Sequence, residues 1–113
     1  MKNRTTMIDT NKLSKEEKLS VLTLKYSFMD TSTDGILKAL PGLIKRDGLM
    51  FTLILNKSPD GMMWSAAYSL LSSETLDGIV PVNVLQDLAW SRGIDLQSAL
   101  ASLYIIIKEN NFV

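Results

Sequence analysis

The chain has 113 residues, 46% hydrophobic and 21% charged, which is the size and composition of one globular domain that buries its own core. It holds no cysteine and no histidine, which excludes disulfides, thiolate zinc sites, cysteine nucleophiles and imidazole bases or ligands. Net charge is zero but unevenly placed: residues 1–57 carry ten Lys/Arg against six Asp/Glu (+4), and residues 58–113 carry two against six (−4). A basic half can meet phosphates and an acidic half can meet basic partners, including a second copy of the chain.

Residues 1–12 are polar and read as a flexible N-terminal tail without the apolar core of a signal peptide, followed by a single helical domain over 13–113. No apolar run reaches the length of a membrane span, so a cytoplasmic location is expected. Ser14-Lys15-Glu16-Glu17 is a capping box, and it predicts a helix running to about Asp30. That helix carries two apolar stripes. Leu19, Leu22, Tyr26 and Met29 form one; Val21, Leu24 and Phe28 form the other, on nearly the opposite side. Two stripes mean either burial on both sides or a contact with a partner chain.

Asp30-Thr31-Ser32-Thr33-Asp34-Gly35 breaks the pattern. As a calcium loop it fails, because its twelfth position falls on Pro41 where a glutamate is required. It reads as a turn, with Thr33 or Asp34 capping the next helix. That helix passes through Ile36, Leu37 and Leu40, is bent or restarted at Pro41, and continues through Leu43 to Asp47 before ending at Gly48. Leu49–Leu55 is apolar at six of seven positions and fits either a buried strand or a short helix; lacking an evident partner strand, it is assigned to a helix. Ser58-Pro59-Asp60 has the form of a helix start, with the helix reaching about Ser72 and its Met and Trp residues in the core. Asp77-Gly78 marks a turn. After Pro81 a short helix is expected over Val82–Arg92, closed by Gly93. The last helix begins at Asp95 and presents Leu96, Ala99, Leu100, Leu103, Ile106 and Ile107 on one face, with Ile105 pointing away from it. The expected fold is all-α, a compact bundle of five to six helices.

Catalytic chemistry is missing from these patterns. Glu16 and Glu17 are adjacent and cannot face each other across a substrate, Asp30 and Asp34 have no nucleophile near them, and no Gly-rich phosphate loop occurs. The reading is a non-enzymatic protein with no cofactor, no metal site and no small-molecule substrate, acting by binding other molecules.

The segment Leu37-Lys38-Ala39-Leu40-Pro41-Gly42-Leu43-Ile44-Lys45-Arg46-Asp47-Gly48-Leu49, followed by Thr52-Leu53 and Asn56-Lys57-Ser58, resembles the helix-connecting segment of the small helical subunit of type III-B (Cmr) CRISPR effector complexes. Asp47 stands where that family usually has asparagine. Asp95–Lys108, with Ala99-Leu100 and Leu103, is similar to the family's last helix, although Gly93-Ile94 replaces a Tyr-Arg pair before it. The resemblance implies an all-helical, non-catalytic subunit of an antiviral ribonucleoprotein, stacked with copies of itself and with other subunits. It also implies sequence-independent contact with the guide–target RNA duplex. On that reading Lys15, Lys18, Lys25, Lys38, Lys45 and Arg46 are the phosphate contacts, and Val21, Leu24, Phe28 and Ile105 meet protein partners.

Two alternatives stay open. Val84–Asp95 followed by the last helix looks like the turn of a winged-helix, helix-turn-helix regulator. The acidic C-terminal half and the lack of a wing argue against duplex DNA there. The other alternative is a small phage or host adaptor that binds a protein partner and no nucleic acid.

Overall fold

The computed structural model describes residues 9–46, 48–71 and 87–112. Over these the chain forms a short 3-10 turn (Thr10–Lys12), helices α1 (Lys15–Tyr26) and α2 (Thr33–Ala39), and strands β1 (Leu43–Arg46), β2 (Leu49–Lys57), β3 (Trp64–Leu71) and β4 (Asp87–Gly93). Helix α3 (Leu96–Glu109) follows. The strands make one antiparallel sheet in the order β1-β2-β3-β4. The protein is therefore a mixed α/β fold. The all-α bundle of five to six helices is overturned, and with it the all-helical architecture implied by the resemblance.

Each correction has a local cause. The register pairs Arg46 with Leu49, and Gly48 between the two strands has φ +80°, so this glycine turns a hairpin instead of ending a helix. The apolar run from Leu49 to Leu55 belongs to the inner strand β2, paired over eight residues with β3. Ser58-Pro59-Asp60-Gly61 closes the β2–β3 hairpin. The Ser58 hydroxyl accepts from Met63 N, Asp60 Oδ1 accepts from Met62 N, and Gly61 sits at φ +74°. Those are the side-chain-to-backbone bonds that Ser and Asp make at a helix start, here used in a turn. Residues 87–92, expected to be helical, form β4; residues 72–86 lie outside the described residues. The helix-turn-helix over Val84–Asp95 is thus replaced, from residue 87 onward, by a strand. The segment Leu37–Leu49 holds the end of α2, β1 and the start of β2, so it does not connect two helices.

The expected start and last helix are in place. Ser14 caps α1 with its full capping box, and the Asp95 carboxylate accepts from Ser98 N to cap α3. Ser32, one residue before the expected Thr33 or Asp34, caps α2.

Helix α3 is the middle layer. It packs on β3 and β4 on one side and against α1 and α2 on the other. Every residue from Ser98 to Ile105 is buried, as is Ile107. A helix apolar around its whole girth has to be enclosed on all sides, and Ile105, read from the sequence as facing outward, is fully buried. The core joins Leu22, Ile36, Ile44, Phe51, Tyr68 and Leu100 across the three layers. Gly93 allows the closest approach: a Cβ there would lie 2.6 Å from Ala99 N and 2.7 Å from Ser98 Cβ. The end of β4 therefore meets the first turn of α3 backbone to backbone. No helix among the described residues is long and apolar enough to cross a membrane.

Candidate functional site

Alternation along the strands divides the sheet into two faces. Ile44, Phe51, Leu53, Ala66, Tyr68 and Ala89 point toward the helices and join or pack against the core. The opposite face is built by cross-strand rows: Lys45↔Met50, Leu43↔Thr52↔Ser69↔Asp87, Ile54↔Ala67↔Trp90 and Asn56↔Ser65↔Arg92. None of the helices packed on α3 reaches this side. Its large apolar residues are solvent-accessible: Leu43 is 41% exposed, Met50 39%, Ile54 38% and Trp90 49%. Small side chains lie between them (Ala67, Ser65, Thr52, Ser69), with Ile54 on an inner strand and Trp90 on the edge strand β4, across Ala67 from each other.

Charge frames this apolar strip. Lys45 lies beside Met50 on the open face and has no ion pair among the described residues. Arg92 lies beside Trp90, its guanidinium 5.8 Å from the indole centre. Asp87 is engaged by the Ser69 hydroxyl. At the β2–β3 end the face opens into a hollow of about 380 Å³, lined by Pro59, Met63, Trp64, Trp90, Lys57 and Arg92. The Lys57 ammonium lies 5.9 Å from the Trp64 ring. The hollow thus has two indoles for walls and a cation on each.

The six basic residues singled out from sequence are not brought together. Three lie along α1 and bind α3: Lys15 pairs with Asp95 at 2.6 Å, Lys18 donates to Ser98 Oγ at 2.9 Å, and Lys25 pairs with Glu109 at 2.5 Å. Tyr26 donates to the same Glu109 carboxylate. The contacts advance in step along both helices, so α1 and α3 run side by side in the same direction. Arg46 donates to Asn111 O and lies over the Phe112 ring, pinning the end of the chain to β1. Lys38 is exposed on α2 in the helical layer, and Lys45 lies on the open sheet face. Much of the charge asymmetry between the two halves is therefore used inside the molecule, where basic α1 meets acidic groups of α3.

The four expected partner contacts also separate. Val21 and Phe28 are half-buried against the core, Phe28 standing edge-on to Tyr104 with centroids 4.7 Å apart. Leu24 is exposed, and Ile105 is enclosed. The open sheet face was missed because its strands were read as helices. The available signal was Asp47-Gly48 between two apolar runs, a strong hairpin pattern.

Among the described residues no group of acidic side chains is placed to hold a metal ion. Among the described residues the fold and this face define a class, an antiparallel sheet covered by helices on one side and open on the other. No protein-family model, curated protein or solved structure matches the chain, so none identifies it as a subunit of a type III-B complex.

Proposed function

We propose that this protein is a non-catalytic adaptor that binds a partner protein on the open face of its sheet. The observation that carries this reading is the group Leu43, Met50, Ile54 and Trp90, exposed together on a sheet whose other face packs against the helices. An aromatic residue standing among aliphatic ones, rimmed by polar groups, is the composition of a protein-binding surface. Lys45 and Arg92 at the margins favour a partner segment that is apolar at its centre and acidic at its flanks.

The test compares captures from the native host by tagged wild-type protein, by the double variant Ile54→Asp/Trp90→Arg and by Leu24→Ser as a control on the helical side. A protein recovered by the wild type and the control, and lost with the double variant, is the expected result. Equal recovery by all three, or no specific recovery by the wild type, overturns the reading.

A further inference from the structure

The N-terminal end of α1, the end of β4 and the start of α3 meet around a cavity of about 340 Å³, open on one side. Its polar lining includes Ser14, Lys15, Lys18, Arg92 and Ser98, so three cations border it and no carboxylate does. Asp95, which caps the helix beside the cavity, is occupied by Lys15 Nζ and by the Ser98 N–H.

Lys18 is the unusual member. It is only 5% exposed, and its hydrogen bond goes to a neutral hydroxyl, Ser98 Oγ, at 2.9 Å. Among the described residues no carboxylate lies within ion-pair distance of its ammonium. A buried charge is costly unless it is paired, and an ammonium brings three donors, of which the serine uses one. Ser98 Oγ accepts from Lys18 and so has its own proton to donate. The two groups form a ready pair of donors at the cavity wall, and Arg92 adds a third cation to the lining. Burial also lowers the Lys18 pKa from its ordinary value, against the opposing charge of Asp95, and a bound anion would relieve that.

We propose that this cavity binds the oxyanion group, phosphate or carboxylate, of a small molecule, with Lys18, Ser98 and Arg92 as its ligands. The volume exceeds that of a bare phosphate, and Leu13, Met63 and Ile94 on the lining offer apolar contact to a short carbon skeleton. The cavity adjoins the hollow at the edge of the sheet face, sharing Arg92 and Met63 with its lining, but its Lys18–Ser98 wall lies on the helical side and does not depend on the adaptor reading.

The experiment is a titration of uniformly 15N-labelled protein with sodium phosphate and, separately, with sodium acetate, ionic strength being held constant with chloride. Saturable shifts of the Lys18, Gly93 and Ser98 amides with either probe are expected. Saturation by phosphate alone indicates a phosphoryl ligand, and saturation by acetate as well indicates a carboxylate. Lys18→Met should abolish the response, Arg92→Gln should weaken it about tenfold, and Lys38→Met should leave it intact. Because Arg92 is exposed, Arg92→Gln keeps the test decisive even where Lys18→Met fails to fold. A response that does not saturate with either anion, or that both site variants retain at full strength, overturns the proposal.

Discussion

Lys15 and Asp95, 80 positions apart in the chain, meet at 2.6 Å through the same carboxylate that caps α3. One side chain thus starts the central helix and fastens α1 against it.

Replacing Asp95 by alanine removes both roles and should cost about 1–2 kcal/mol, mostly from the lost cap. Lys15→Met should cost about 0.5 kcal/mol or less, because this ion pair is still partly exposed to water and screened. Partial burial opposes ionisation of Asp95, but its bonds to Lys15 and Ser98 N and the charges of Lys15 and Lys18 hold the carboxyl below its ordinary 3.8. A folded value below the unfolded one gives stability that is present above 3.8 and is lost as pH falls through the folded value. Urea midpoints measured from neutral to acid pH should show this fall. Asp95→Asn, which keeps a capping oxygen, should flatten it.

Gly93→Ala places a methyl group against the backbone of Ala99, which cannot turn aside. A loss of about 2–3 kcal/mol is expected, from overpacking between β4 and α3. Gly42 has open space around its Cα, and Gly42→Ala should stay within about 0.5 kcal/mol of the wild type. Chemical denaturation of the two variants checks the contrast.

Two phenols should resist alkali. Burial, followed by the hydrogen bond to Glu109, pushes Tyr26 well above its ordinary 10.0, and burial does the same for Tyr68, whose hydroxyl donates to Pro41 O at 2.6 Å. A folded value raised above the unfolded one gives stability that is complete below pH 10 and is lost as pH rises further. Absorbance of tyrosinate during an alkaline titration should show these two groups ionising only together with unfolding. Tyr68→Phe should cost about 1 kcal/mol by leaving the Pro41 carbonyl without its donor.

Ile105→Ala should cost about 2–5 kcal/mol, since the side chain is fully enclosed in the middle layer. Leu24→Ala, at a site that is 82% exposed, should change stability by about 0.5 kcal/mol or less. Thermal unfolding of the pair measures directly which of the two residues the fold uses.

The sequence by itself determined the features that depend on neighbours in the chain. Ser14 with Glu17, and Asp95 before an apolar helix, announce helix starts because a capping side chain bonds to a backbone N–H two or three residues away. The lack of Cys and His limited the available chemistry in the same direct way. Tertiary structure decided the rest. β2 is apolar on both faces, Phe51, Leu53 and Leu55 inward and Met50 and Ile54 outward, so the period of two that marks a strand is erased. In β3 and β4, Ala66, Ala67 and Ala89 fit a helix as readily as a sheet. Ser58-Pro59-Asp60 offers one set of local bonds to a helix start and to a hairpin turn alike. Helical hydrogen bonds close within four residues and leave their signature in the local order of side chains. Strand hydrogen bonds join segments such as Asn56 to Ser65 and Ser65 to Arg92, and that pairing exists only once the chain has folded.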